Sequence, residues 1–226
     1  MSEPVNLLDG PGLQGSLFGS GPLRAAPLGS LVRTIQLDAD SQVDHAPGWL
    51  AGADELFIDL LGSLSWESHY RWIKDQAVLE PRLSTTFQAP PETLGKIAGE
   101  LTSHYGRGYI AAWANLYRDA DDSVSWHGDR YRPGSLHQDV ALVSVGGRRT
   151  FRIRRRGGGS SWAWSLASGD LLVMRGPVQQ RFEHCVPKLA SAGPRISIVF
   201  RCPEGREFDQ TIRPGPTGLR RHERRL

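Results

Sequence analysis

An α+β fold is expected for this chain, with helices leading and an antiparallel β-sandwich following. Two observations carry that expectation. Helical periodicity is confined to the first half, in 54–77 and 90–106. After Arg107 the texture changes to short β-type runs, YIAAWANLY, DVALVSV, RTFRIR, SWAWSL, DLLVM and RISIVFR, broken by GG, RRRGGGS, ASG and RGP. Many short strands at such spacing indicate a sandwich or barrel, here from about 107 to 203. The length of 226 residues suits one well-packed domain with appended tails.

Residues 1 to about 30 are rich in Gly, Pro, Ser and Leu without periodicity and are expected to be flexible or extended. The segment from Asp54 to Ala77 predicts a helix interrupted at Gly62 and Ser63. In the second helix, Pro91 suits the first turn, and Leu94, Ile97, Leu101 and Tyr105 repeat at helical spacing. The stretch from Arg213 to Leu226 holds two prolines, two glycines and five arginines and is expected to be a basic tail. The remainder, 31–212, is the expected domain.

The formal charge of +3 and pI near 9.1 are compatible with a nucleic-acid partner without requiring one. No run of 18 apolar residues is present, so no membrane-spanning helix is expected. The start, MSEPVNLLDGPG, lacks a signal-peptide pattern. Cys185 and Cys202 form no CxxC pair and read as small apolar side chains, which predicts a reduced, cytoplasmic protein.

Chemistry concentrates in the β half. Trp126-His127-Gly128-Asp129 comes first, then His184, then Arg195 followed six positions later by Arg201. Two imidazoles and a carboxylate on one face leave open positions at an octahedral Fe(II). An H-x-D on a strand or its end projects both side chains to the same side. A lone H-x-D is weak evidence, because His137-Gln138-Asp139 is another. In the alternating strand from 195 to 201, Arg195 and Arg201 share a face. There a buried guanidinium would need an anion such as a carboxylate, whereas a solvated face would need none.

The run from Asn115 and Tyr117 to His127-Gly128-Asp129 resembles the core signature of AlkB-type dioxygenases, which are 2-oxoglutarate-dependent nucleic-acid demethylases. The resemblance extends from Glu80-Pro81-Arg82-Leu83 to Arg201 and includes Arg149-Thr150-Phe151, the run from Gly169-Asp170 to Met174, and Phe182 to Lys188. It implies a double-stranded β-helix (jelly-roll) core with the N-terminal helices packed on it. It implies iron ligation by His127, Asp129 and His184, with 2-oxoglutarate and O2 as co-substrates. Asn115 and Tyr117 match the pair that hydrogen-bonds 2-oxoglutarate. Arg195 matches the partner of its distal carboxylate, and Arg201 the second arginine near the keto-acid end. His127 lies ten residues after Tyr117, as the signature requires, which favours the first H-x-D over the second.

The implied reaction is oxidative demethylation of an alkylated base in DNA or RNA, with release of formaldehyde, succinate and CO2, as in alkylation repair. A single-stranded or flipped base is the expected substrate. A monomer without a protein partner is expected. One departure stands out: where much of the family carries acidic residues after the H-x-D, this chain has Arg130, Tyr131 and Arg132. These read as phosphate or base contacts, and they keep open a second reading, a related hydroxylase or demethylase of protein or a small molecule. Arg152, Arg154, Arg155 and Arg156 read as phosphate contacts, with Trp162 and Trp164 available for stacking. Phe87 falls where the family carries a nucleotide lid, and core packing is its equal alternative.

Overall fold

The computed structural model describes residues 21–73, 76–129 and 139–202. Its N-terminal part already contributes strands. These are β1 (Arg24–Ala25), β2 (Arg33–Gln36), β3 (Gln42–Ala46) and β4 (Leu50–Ala51), with β1 pairing β4 and β2 pairing β3. Leu28 is buried in the core, so the fold starts before residue 31.

Helix α1 (Ala53–Ser63) carries Asp54 and Glu55 in its first turn, where carboxylates complement the exposed N–H groups, and it buries Leu56, Phe57 and Leu60. The helix stops there. Leu64 is extended, with φ −93° and ψ 147°, and the chain continues as β5 (Glu67–Ile73) and β6 (Gln76–Thr86). The expected helix through Ala77 is therefore a hairpin beyond Ser63. Gly62 and Ser63 weaken the helix, and Tyr70, Trp72 and Ile73 are β-formers that gain partners across β6. The apolar residues that mimic helical spacing are not all core: Tyr70 is 64% exposed.

Helix α2 (Glu92–Tyr105) forms as expected, with Leu94, Ile97 and Leu101 buried. It ends at Gly106, whose left-handed φ of 65° favours glycine and whose N–H returns to the Thr102 carbonyl.

The β half then runs β7 (Ile110–Tyr117), β8 (Val124–His127), β9 (Val140–Gly146), β10 (Arg149–Arg155), β11 (Ser161–Leu166) and β12 (Leu171–Arg175). One turn of helix, α3 (Val178–Arg181), leads into β13 (Phe182–Val186), and β14 (Arg195–Arg201) closes the core. Besides the small β1–β4 pair, two antiparallel sheets form among the described residues. The larger has the order β2-β3-β12-β9-β14-β7-β6-β5 and the smaller β11-β10-β13-β8. The helices do not simply precede the sheet, because four strands of the larger sheet lie before residue 87. The core divides accordingly. α1 and α2 pack on the outer face of the larger sheet through Phe57, Leu94, Leu101 and Ile198. Between the sheets lie Tyr117, Leu142, Phe151, Ile153, Trp164 and Val199. This is the jelly-roll core, and its inter-sheet space holds the site.

Candidate functional site: a metal-ligand cluster and a buried arginine

β8 and β13 are antiparallel neighbours, and His127 and His184 are register partners, which sets their side chains next to each other with ring centroids 4.4 Å apart. Asp129 lies two residues past the end of β8 and turns its carboxylate back to both rings. Its Oδ1 is 3.8 Å from His127 Nε2 and 3.7 Å from His184 Nε2. One ligand atom from each of the three lies within 4.8 Å of the others, the spacing of donors around one ion.

The protonation states suit a cation. His127 Nδ1 is 2.8 Å from the Ser125 carbonyl, which can only accept, so Nδ1 carries the hydrogen and Nε2 presents its lone pair to the cluster. Burial pushes the His184 imidazole down to about 4, so it is neutral at neutral pH. For Asp129, burial alone would raise the carboxyl, but His184, Arg201 and His127 together hold it below its ordinary value. Arg201 Nη2 donates to Asp129 Oδ2 at 2.6 Å, which fixes one oxygen and leaves Oδ1 towards the imidazoles.

Arg156 buttresses this loop. Its Nε and Nη2 each donate at 2.8 Å, to the carbonyls of Gln180 and Gln179, just ahead of β13. The guanidinium lies where a Cβ on residue 128 would fall, so a side chain there would push the Arg156 fork off these carbonyls. Sequence reasoning placed Arg156 among phosphate contacts, and no local signal marks it as a clip.

A cavity of about 440 Å³ runs from this cluster between the sheets. Asn115, Tyr117, Arg195 and Ser197 line it with the two histidines and Asp129. Asn115 and Ser197 are register partners on β7 and β14, as are Tyr117 and Arg195. Arg195 is 1% exposed; its Nε donates to Ser144 Oγ at 2.8 Å, and its Cζ is 5.4 Å from the Tyr117 ring centre. Burial lowers the guanidinium to about 10, so it remains a cation at neutral pH. Its Nη2 is buried and has no hydrogen-bond partner among the described residues. That unmet donor fits a carboxylate of a bound organic acid, and the imidazole–carboxylate set fits Fe(II).

The structure therefore brings together seven expected residues: His127, Asp129, His184, Asn115, Tyr117, Arg195 and Arg201. Others go elsewhere. Phe87 is buried in the helix-side core, its N–H bonded to the Ala112 carbonyl, and is no lid. Trp164 is 6% exposed in the inter-sheet core, so only Trp162 keeps surface. Arg155 is exposed, 3.8 Å from Asp38 and stacked on Phe182. Arg130, Tyr131, Arg132 and His137 lie outside the described residues. Asp139, the carboxylate of the second H-x-D, is buried away from the cluster; it accepts from the Gly176 N–H and faces Arg107 and Arg175. Arg82, Trp113 and Phe151 also line the cavity and carried no sequence signal as a site.

A jelly roll with two histidines and one carboxylate converging in its mouth, and a buried arginine beyond them, defines the non-haem iron oxygenase class. Comparison with known proteins agrees. Residues 51–201 match the model of the 2OG-Fe(II) oxygenase superfamily, and the chain belongs to that family. It is 28% identical over 205 residues to the bovine (Bos taurus) alpha-ketoglutarate-dependent dioxygenase alkB homolog 3, covering 79% of this chain and 68% of that protein. It is 32% identical over 111 residues to the DNA oxidative demethylase ALKBH2 of Arabidopsis thaliana, covering 38% of this chain and 35% of that protein. The solved structure of OsALKBH1 shares the fold, with a TM-score of 0.56 at 15% identity, over 76% of this chain and all of that one. The chain is thus a dioxygenase that uses Fe(II), 2-oxoglutarate and O2.

Proposed function

We propose that this enzyme oxidatively demethylates alkylated bases in nucleic acid, with His127, Asp129 and His184 holding the iron. The observation that carries the reading is the single cavity that joins the His-Asp-His cluster to the unmet donor of Arg195. The similarity to alkB homolog 3 and to a DNA oxidative demethylase supports the substrate class.

When bound, the iron supplies the activation of O2 that oxidises an N-methyl group at the expense of 2-oxoglutarate. The chain's own residues bind and orient. Arg195 takes the far carboxylate of 2-oxoglutarate, Asn115 and Tyr117 hydrogen-bond it from the larger sheet, and Arg201 fixes Asp129 beside the keto-acid end. Val124, Leu142, Val186 and Val199 line the same cavity with apolar surface that limits water. The cluster's side chains are 9–18% exposed. A stacked base cannot reach that depth, so single-stranded DNA or a flipped base is the expected substrate. Formaldehyde, succinate and CO2 would be the products, and repair of alkylated DNA the role.

The test is incubation with Fe(II), 2-oxoglutarate and a panel of methylated DNA and RNA oligonucleotides, followed by mass spectrometry. Loss of a methyl group matched by succinate supports the reading. Succinate formation without change in any oligonucleotide would move the substrate to protein or a small molecule.

A further inference from the structure

Arg149 is among the largest fully buried side chains, 1% exposed. It opens β10 and shares a strand face with Phe151, two residues on, which lines the cavity. Its Cζ is 5.9 Å from the centre of the Tyr117 ring, which lines the cavity. Arg195 stacks on the same ring. Two buried cations therefore share one phenol.

Their hydrogen bonding is incomplete in a complementary way. Arg149 Nη2 donates to the Asp119 carbonyl, while its Nε and Nη1, like Arg195 Nη2, are buried without partners among the described residues. The nearby carboxylates are committed. Asp122 accepts from Arg118 Nε and Nη2, both at 2.8 Å. Asp170 accepts from the Gly48 and Ala167 N–H groups. Among the described residues, neither Arg149 nor Arg195 has a carboxylate within salt-bridge distance. Burying two like charges with three unmatched donors is costly unless an anion joins them. Burial lowers both guanidinium groups from their ordinary values, and at Arg195 the neighbouring Arg149 adds to the lowering.

We propose that Arg149 is a second co-substrate-binding arginine: with Arg195 it clamps the distal carboxylate of 2-oxoglutarate, one guanidinium to each oxygen. A carboxylate has two oxygens and accepts from two forks at once. The inference rests on the reading that 2-oxoglutarate occupies this cavity with its far end at Arg195.

The experiment compares two keto acids on the Fe(II)-loaded full chain under anaerobic conditions, by calorimetry. 2-Oxoglutarate carries the distal carboxylate; 2-oxobutyrate has the same keto-acid head and lacks it. Arg149→Met should weaken 2-oxoglutarate roughly 10- to 100-fold and leave 2-oxobutyrate within about twofold. Arg195→Met should show the same signature. If Arg149→Met weakens both acids equally, or neither, the proposal is overturned and Arg149 is structural. If the wild type binds neither acid, or Arg195→Met is without selective effect, the co-substrate reading itself fails, and the proposal with it. Should Arg149→Met fail to fold, Arg149→Lys serves. A single ammonium cannot reproduce the fork, so a selective loss of about three- to tenfold for 2-oxoglutarate is expected, and equal affinity for both acids relative to wild type overturns the clamp.

Discussion

The two ends of the cavity hold their charges in opposite ways. At the iron end the chain balances itself: Asp129 is met by Arg201 at 2.6 Å, His127 is oriented by the Ser125 carbonyl, and His184 is neutral by burial. At the other end, Arg195 and the Arg149 that shares its Tyr117 ring keep donors that no described side chain meets. The first end is assembled before any ligand arrives, and the second is completed only by an anion. Preorganisation at the metal and incompleteness at the co-substrate end are different means to one geometry. The first fixes where oxidation occurs. The second selects the acid that enters.

Breaking the iron end has the largest expected effect. His127→Ala, Asp129→Ala and His184→Ala should each reduce succinate formation to background, whereas His137→Ala should not. Asp129→Ala is the most severe, because it also strips Arg201 of its carboxylate partner. Metal content by emission spectroscopy, with circular dichroism to verify folding, separates lost iron from lost structure. A folded, iron-loaded Asp129→Ala variant with near-wild-type turnover would remove the cluster from the chemistry.

At the other end the effect is smaller and graded. Arg195→Ala should raise the apparent KM for 2-oxoglutarate by roughly 10- to 150-fold, the range for losing a charge-assisted contact. An unchanged KM in steady-state assays would place the co-substrate elsewhere.

Asp170 sharpens the contrast from outside the cavity. Its carboxylate is spent on the N–H groups of Gly48 and Ala167 and on His45 Nε2 at 3.4 Å. Burial opposes ionisation, but these partners outweigh it and hold the carboxyl below its ordinary value. A depressed folded-state value contributes stability above the unfolded value, near 3.9, that is lost as pH falls through the folded one. Asp170→Asn should therefore cost about 1–3 kcal/mol at neutral pH and flatten the loss of stability on acidification below about pH 4, read by denaturant melts. A variant as stable as wild type at pH 7 would show that the carboxylate does not hold this turn.

The site was largely legible in the sequence because its residues sit at fixed strand offsets. An H-x-D at a strand end and an arginine pair six apart on one strand survive as patterns whatever surrounds them. What was illegible depends on contacts across the chain. Arg156 reads as one more basic residue until the Gln179 and Gln180 carbonyls are brought beside it. Phe87 and Trp164 look like stacking residues until the core closes over them. The β5–β6 hairpin failed for a related reason. Its apolar residues mimic a helical period, and only pairing across the turn, Tyr70 with Leu79 and Trp72 with Ala77, decides for strand.

The smallest expected effect concerns nucleic-acid binding on the outer face of β10, where Arg152 and Arg154 alternate with the buried Phe151 and Ile153. The two arginines are not equivalent. Arg154 Nε donates to Glu183 Oε1 at 2.6 Å, and its Cζ lies 4.0 Å from the centre of the Trp126 ring. Its charge is largely spent within the protein. Arg152 is exposed, and among the described residues its fork hydrogen-bonds only the neutral Ser161 hydroxyl, at 2.8 and 3.1 Å, so its charge remains available to a phosphate. Neutralising one phosphate on a single strand contributes about 0.7 to the slope of log affinity against log salt. Arg152→Ala should therefore lower the slope for single-stranded DNA by about 0.7, evenly across sequences, and Arg154→Ala should lower it by less. Fluorescence titrations at several salt concentrations measure both. Equal slopes for Arg152→Ala and wild type would take the phosphate track off this face, and a larger effect for Arg154→Ala would mean that the strand competes with Glu183 for its guanidinium.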